Sequence, residues 1–226
     1  MRSADRKLLG GSNLKKKLII VAIVVGAVLI VLAVAAYIWV MNPFNVGIDP
    51  LVTSSLPADA GRRLEISFSY RKQRLIASSQ FAFWIEDMDG NYIDTLYVTQ
   101  WTARGGYSYR PLSLPIWVSA AQPSGIGISE MDAISGATPR SGSYFVYWDF
   151  TDRNGDVVTA TQLRYFIEGT MNNNDDVLYT GIITVDGGGW TQDPTPEYSL
   201  QDSVYKDMIS DVRVTFHPGA QTSGHR

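Results

Sequence analysis

The sequence predicts an all-β protein, an antiparallel β-sandwich outside the membrane that follows one N-terminal transmembrane helix. Three observations predict this fold: an uncharged apolar run near the N-terminus, alternating apolar and polar residues from Arg63 onward, and turn-forming residues between the alternating segments. The chain has 226 residues, 45% of them hydrophobic, and no Cys. It is therefore long enough to bury a core without disulfides.

The apolar run extends from Leu18 to Met41, 24 residues without a charge, Pro or Asn. A helix of this length covers about 36 Å, which is enough for a hydrocarbon core of about 30 Å. A cleaved signal peptide is the alternative, because Ala33-Val34-Ala35 supplies small residues for cleavage. The run continues past them and exceeds the usual length of a signal peptide, which favours an uncleaved anchor.

The charges flanking this run predict its orientation. Residues 1–17 carry six of the 19 Lys and Arg residues and one of the 22 acidic residues, a net charge of +5. The positive-inside rule places this basic head in the cytoplasm and residues 42–226 outside. The remaining chain, with 13 basic and 21 acidic residues, carries −8. Such a surface excludes nucleic acid as a partner, because that binding depends on Lys and Arg neutralising phosphates.

Residues 42–62 contain several Pro and Gly residues and are predicted to be a linker. The β-sandwich domain is predicted over residues 63–217, and residues 218–226 form a tail. Its first strand is marked by apolar residues at alternate positions, Leu64, Ile66, Phe68 and Tyr70. The further predicted strands are Phe81–Glu86, Tyr92–Val98, Ser143–Asp149, Asp156–Thr161, Gln162–Glu168, Val177–Val185 and Asp211–His217.

Two acidic segments, 87–91 and 151–155, are predicted to be hairpin turns with similar flanking residues. Their Asp side chains also suggest a calcium site, but neither segment has the bidentate Glu of an EF-hand loop, so turn formation is favoured. Residues 101–129 are predicted to be a long excursion, and no notable amphipathic helix is expected in the domain.

Few residues suit catalysis. A Cys nucleophile is impossible, zinc ligands at close spacing are missing, and His217 lacks a Gly-x-Ser-x-Gly partner. A secreted hydrolase is therefore the weakest hypothesis.

The segment Met131-Asp132-Ala133-Ile134-Ser135-Gly136-Ala137-Thr138 stands out. It resembles the flavinylation sequence of extracytoplasmic FMN-binding domains. In those domains, a flavin transferase that uses FAD and Mg²⁺ esterifies FMN through its phosphate onto the last Thr. The resemblance implies FMN attached covalently to Thr138, with Ser135, Gly136 and Ala137 as the small residues that admit the phosphate. It also implies that Asp132 is engaged when the transferase binds.

The outer domain as a whole resembles a family of predicted periplasmic proteins of unknown function with an immunoglobulin-like fold. The resemblance rests on the segments 83–90, 132–138, 142–149 and 211–216. Members of that family are associated with flavin-linked membrane reductases. The resemblance therefore implies an immunoglobulin-like β-sandwich and, as partners, the membrane, a flavin transferase and a membrane flavin or haem reductase.

These observations lead to two hypotheses. The first is a membrane-anchored extracytoplasmic electron carrier with FMN on Thr138, rather than a complete enzyme. The alternative is a non-catalytic immunoglobulin-like module that binds a partner or has a structural role in the cell envelope.

Overall fold

The computed structural model describes residues 17–31, 48–50, 61–73, 79–171, 175–200 and 206–219. The chain comprises two compact units, Met1–Asn45 and Val46–Arg226. In the first unit, helix α1 covers residues 17–31, and its apolar side chains are exposed. Among the described residues, no helix has both the length and the apolar character needed to cross a membrane. The second part of the predicted span, residues 32–41, lies outside the described residues.

The second unit is built from two packed β-sheets. The strands are β1 (Ile48–Pro50), β2 (Arg63–Tyr70), β3 (Gln80–Glu86), β4 (Tyr92–Thr99), β5 (Ser135–Gly136), β6 (Gly142–Trp148), β7 (Gln162–Met171), β8 (Asp175–Thr184), β9 (Trp190–Gln192), β10 (Glu197–Tyr198) and β11 (Ile209–His217). The five-stranded sheet has the order β1-β6-β2-β11-β9, and the six-stranded sheet has the order β10-β8-β7-β3-β4-β5. All pairs are antiparallel except β1 with β6 and β4 with β5.

The alternation predicted for the first strand is confirmed. In β2 the apolar residues Leu64, Ile66, Phe68 and Tyr70 are buried, and the residues between them are partly exposed. They pack with side chains from β3, β4, β7, β8 and β11 into the core between the sheets. The predicted all-β sandwich therefore holds for the described part of the second unit.

The strand predicted at Asp156–Thr161 is wrong. Only an isolated bridge joins Thr151 to Val157 after the second acidic turn. The reason lies in the connection to the next strand, because β6 belongs to the five-stranded sheet and β7 starts at Gln162 in the six-stranded sheet. Residues 156–161 therefore lead from one sheet to the other instead of running beside β6, although the turn itself forms.

The long excursion between β4 and β6 folds over the outer face of the six-stranded sheet. It contains helices α2 (Gln100–Ala103), α3 (Pro115–Ala121) and α4 (Ile128–Ile134), with 3-10 turns at Gly106–Ser108 and Pro123–Gly125. Outside the excursion, a further 3-10 turn at Lys206–Met208 precedes β11. No notable amphipathic helix was expected in the domain, and these three helices are short. Helices of four to seven residues are too short for their apolar residues to display a clear helical period.

Candidate functional site

The five residues of the predicted flavinylation motif lie in one continuous stretch at the edge of the six-stranded sheet. Asp132 is in the last turn of α4, and Ser135 and Gly136 form β5. This short strand pairs in parallel with the end of β4, with Ser135 beside Val98 and Gly136 beside Thr99. Because β5 is the last strand of its sheet, its outer edge has no neighbouring strand among the described residues.

Thr138, the predicted acceptor, is half-buried and lies two residues after the end of β5. Its hydroxyl Oγ1 donates a hydrogen bond to the carbonyl oxygen of Ser79 at 3.3 Å. This distance is long for a hydroxyl donor, so the bond restrains the side chain only weakly. Ala137, the preceding residue, is exposed.

Tyr97 on β4 fixes the backbone of the motif. Its phenol oxygen donates a hydrogen bond to the carbonyl oxygen of Ala137 at 3.0 Å. A Cβ atom added to Gly136 would lie 2.9 Å from Cε2 of the same ring. The ring is buried and stacks on Phe81, with ring centroids 5.5 Å apart. Gly136 is therefore needed for close packing, because an alanine would have to displace a ring that is held on both sides.

The Tyr97 phenol is also in the protonation state that its hydrogen bond to Ala137 requires. Burial raises the pKa of the Tyr97 phenol well above its ordinary value, and the neighbouring phenols of Tyr70 and Tyr144 raise it further. Since the group stays protonated at physiological pH, it remains a hydrogen-bond donor to the motif backbone.

Ser135 and Asp132 have contrasting surroundings. The Ser135 hydroxyl oxygen is buried and has no hydrogen-bond partner within the described part of the chain. Asp132 instead points to Arg104, which follows α2, and the two side chains form an ion pair of 2.8 Å. Both members of this pair are about half exposed. Residues 135–138 thus contact β4 and Ser79. The side chain of Asp132 instead contacts Arg104 in the excursion.

A surface pocket of about 580 Å³ adjoins Asp132. It lies between the turn after α2 and the beginning of α4, and its walls are mostly apolar. The lining residues are Ala103, Arg104, Gly105, Tyr107, Pro123, Ile126, Ile128, Met131 and Asp132. Apart from Met131 and Asp132, none of them belongs to the recognised motif. The sequence carries no pattern that would have brought Arg104 or Tyr107 to attention.

The two acidic turns use their carboxylates internally. Oδ1 of Asp87 accepts hydrogen bonds from the backbone N–H groups of Asp89 and Asn91, at 2.9 and 2.8 Å. Asp152 makes the same two contacts with Asn154 and Asp156, at 2.8 and 2.9 Å. The pKa of Asp87 is lowered most by the side-chain amide of Asn91, which donates to Oδ2 at 2.7 Å, and then by the backbone N–H groups. The pKa of Asp152 is lowered most by the backbone N–H of Asp156. Among the described residues, no group of three or more His, Cys, Asp or Glu side chains is arranged to hold a metal ion.

Comparison with known protein families shows to which family the chain belongs. The model of a family described as "Predicted periplasmic protein (DUF2271)" matches residues 62–196, more than half of the chain. The matched range includes the motif, the excursion and the pocket. No curated protein and no solved structure matches the chain.

Proposed function

The chain belongs to the DUF2271 family of predicted periplasmic proteins, and we propose that it is an extracytoplasmic electron carrier with FMN attached covalently to Thr138. The observation that carries this proposal is the setting of the acceptor hydroxyl. Thr138 is partly exposed, donates a long hydrogen bond to Ser79, and follows β5, whose outer edge pairs with no strand in the described part of the chain. A flavin transferase needs such an accessible hydroxyl with little side-chain bulk before it.

The motif residues also fit a phosphate ester. Ala137 is exposed and its side chain is small, so it adds little bulk next to Thr138, whereas the space beside Gly136 is filled by the Tyr97 ring. The Ser135 hydroxyl, three residues before Thr138, is buried and has no partner in the described part of the chain. Asp132 is half exposed and carries a negative charge that a transferase can recognise. Bound FMN would supply reversible electron transfer, while the protein controls its surroundings.

The attachment step balances with FAD as co-reactant. The Thr138 oxygen attacks the phosphorus on the FMN side of the FAD pyrophosphate and forms a new P–O bond. The bond from that phosphorus to the bridging oxygen breaks, and AMP leaves with the bridging oxygen. The hydroxyl proton passes to a base of the transferase. The protein gains the mass of FMN less one water.

The proposal includes a membrane location. Helical residues 18–31 lie within the predicted apolar run 18–41, and Lys17 precedes its first residue. We propose that the full run anchors the chain with residues 1–17 in the cytoplasm. The family description supports placing the β-sandwich outside. A membrane flavin or haem reductase then becomes the proposed electron donor or acceptor.

We also propose that the sandwich is immunoglobulin-like. The observation that supports this is the number of long antiparallel strands in each sheet. Strands β6, β2 and β11 form one set of three, and β8, β7, β3 and β4 form a facing set of four. Immunoglobulin constant-type domains pack the same numbers of strands face to face.

Intact mass measurement tests the flavin proposal. The full chain is co-expressed with a flavin transferase, alongside the variants Thr138→Ala, Thr138→Ser and Thr161→Ala. We expect one added FMN in the wild type, in Thr138→Ser, which keeps a hydroxyl, and in Thr161→Ala, which changes an exposed threonine outside the motif. Thr138→Ala should stay unmodified and lose in-gel flavin fluorescence. An unmodified wild type, or a modified Thr138→Ala, would refute attachment at Thr138.

A binding module in the cell envelope is the second candidate, and one observation favours it. Trp101, Leu112 and Ile116 on the excursion are large apolar side chains that are 43%, 43% and 37% exposed. Apolar residues grouped on one segment are common at protein interfaces. This candidate predicts no chromophore and no effect of Thr138→Ala beyond a change in stability.

A further inference from the structure

The pocket beside Asp132 combines two kinds of surface. Ile126, Ile128 and Met131 supply apolar walls, and Tyr107 supplies an aromatic ring. Ile128 is 83% exposed although it lies at the first position of α4. Leaving such a side chain in water forgoes the free energy that burial of apolar surface provides. A ligand with an apolar face would recover it.

The polar part of the pocket is the Arg104–Asp132 ion pair. One guanidinium nitrogen of Arg104 donates to Oδ1 of Asp132 at 2.8 Å. A guanidinium has five N–H donors and a carboxylate has two acceptor oxygens, so both groups keep further hydrogen-bonding capacity. The pocket therefore presents donors and acceptors next to apolar walls. A planar heterocycle with one apolar edge and one edge of carbonyl and N–H groups fits this pattern.

The pocket is close to Thr138 along the chain. From Asp132 the backbone follows α4 to Ile134 and then continues through β5 to Thr138. At 1.5 Å per helical residue and about 3.3 Å for each residue of a fully extended chain, this path covers about 16 Å. The ribityl phosphate arm and ring of FMN together can cover such a distance.

We propose that this pocket holds the isoalloxazine ring of a flavin attached at Thr138, an inference that rests on the proposed function. The apolar walls would cover the benzenoid edge of the ring. Arg104 would donate to the carbonyl oxygens of the pyrimidine edge, and Asp132 would accept from its N–H group. The positive charge of Arg104 would favour the more negative, reduced form of the ring, because opposite charges attract more strongly where water is partly excluded.

The test uses the full flavinylated chain in detergent and measures quenching of flavin fluorescence by iodide, visible circular dichroism and midpoint potential. Ile128→Ser removes an exposed apolar wall, and Ile182→Ser on β8 is its matched control at 48% exposure. Arg104→Gln removes the charge, and Arg213→Gln breaks an equivalent exposed ion pair of 2.8 Å with Asp193. Asp132 is left unchanged, because the proposed function assigns it a role in the attachment step.

We expect the attached flavin to be quenched severalfold less than free FMN and to show induced circular dichroism. Ile128→Ser should raise the quenching, and Arg104→Gln should shift the potential to a more negative value, while both controls match the wild type. An attached flavin that is quenched like free FMN, with Ile128→Ser equal to Ile182→Ser, would place the ring in solvent and overturn the inference. Thr138 would still be the attachment site.

A second measurement serves if the intact mass shows no modification, a result that refutes the proposed function. Free FMN at millimolar concentration, similar to the effective concentration of a short tether, is added to the unmodified full chain. Induced visible circular dichroism that is lost in Ile128→Ser and kept in Ile182→Ser supports the pocket as a flavin site. No induced signal in the wild type overturns it.

Discussion

Strand β3 buries side chains on both of its faces, and the two faces are built differently. Phe81, Phe83 and Ile85 point into the apolar core between the sheets. Ala82 and Trp84 alternate with them and lie under the excursion, together with the buried polar residues Gln80 and Glu86. All seven residues of the strand are buried. The inner face is closed by apolar packing, whereas the outer face also depends on directed hydrogen bonds.

The outer layer contains several such bonds. Nε1 of Trp84 donates to Glu86 at 2.8 Å, and Nε1 of Trp117 on α3 donates to Thr95 at 2.9 Å. Oε1 of Gln80 accepts from the hydroxyls of Thr99 and Thr102, at 2.6 and 3.0 Å. Because this layer leads into α4 and β5, it positions the candidate site. The position of the candidate site therefore depends on polar contacts, whereas the stability of the sandwich beneath it depends on buried apolar area.

The largest effect is expected on the inner face. The substitution Phe83→Ala removes a fully buried ring whose centroid lies 4.8 Å from that of Phe68. Truncating a buried Phe costs about 3–5 kcal/mol, the lost transfer free energy plus the cavity. Chemical denaturation of the full chain should show the whole sandwich unfolding at lower denaturant. A loss confined to the excursion, detected by hydrogen exchange, would contradict the assignment of Phe83 to the shared core.

The next effect is expected where one carboxylate holds α3 on the sheet. Glu168 on β7 is fully buried, and its two oxygens accept from the backbone N–H groups of Ile116 and Trp117, at 3.1 and 2.8 Å. These N–H groups belong to the first turn of α3, where backbone N–H groups have no acceptor within the helix. The substitution Glu168→Ala leaves both unpaired and should cost roughly 2–3 kcal/mol.

Hydrogen exchange distinguishes this loss from that of Phe83→Ala. Exchange should increase over 114–121 before the rest of the sandwich is affected. Glu168→Gln is the control, since it keeps one acceptor oxygen and should lose much less protection. Uniform exchange across both sheets in Glu168→Ala would show that α3 is not a separately held element.

The same carboxyl group makes the outer layer sensitive to pH. Burial raises the pKa of Glu168 to about 7, although the two backbone N–H groups partly oppose this rise. The folded state therefore binds more protons than the unfolded state between about pH 4.5 and 7. Stability should fall as pH rises through this window, and the loss is complete above the folded pKa.

Denaturation at several pH values checks this sign. Glu168→Gln should show a weaker fall than the wild type. It should retain a residual fall, because burial also raises the pKa of Asp94 on β4 to about 7, with Asp149 and Asp152 contributing. Asp94→Asn removes that part. A wild type that becomes more stable from pH 5 to 7 would show that neither carboxyl group is raised.

The inner face was predictable from the sequence and the outer face was not, for a physical reason. Alternation in β2 reports burial on one side of a sheet, and a local pattern suffices to reveal it. The two acidic turns were also local, since Asp87 and Asp152 bond within four residues. The conformation of Asp156–Thr161 was not local, because it depends on the position of β7, which starts at Gln162 in the other sheet.

The candidate site shows the same division. The motif from Asp132 to Thr138 was visible as a string of residues. The contact of Tyr97 with Gly136 and Ala137 joins parts of the chain about 40 residues apart, and the Arg104–Asp132 pair joins parts 28 residues apart. No period or turn signal encodes such contacts, so the support of the motif and its pocket could only come from the fold.

The smallest expected effect concerns a single hydroxyl in the outer layer. Ser113, just before α3, lies 2.6 Å from the hydroxyl of Thr102, and both are fully buried. The substitution Ser113→Ala removes one partner, but Thr102 keeps its bond to Gln80, so we expect a cost of about 1 kcal/mol. Thr102→Val should cost more, because it removes the hydrogen-bond partner of both Gln80 and Ser113.

Denaturation of both variants and of the double variant measures the coupling between the two hydroxyls. Additive losses would mean that these hydroxyls act independently, and the outer layer would then depend on packing as the inner one does.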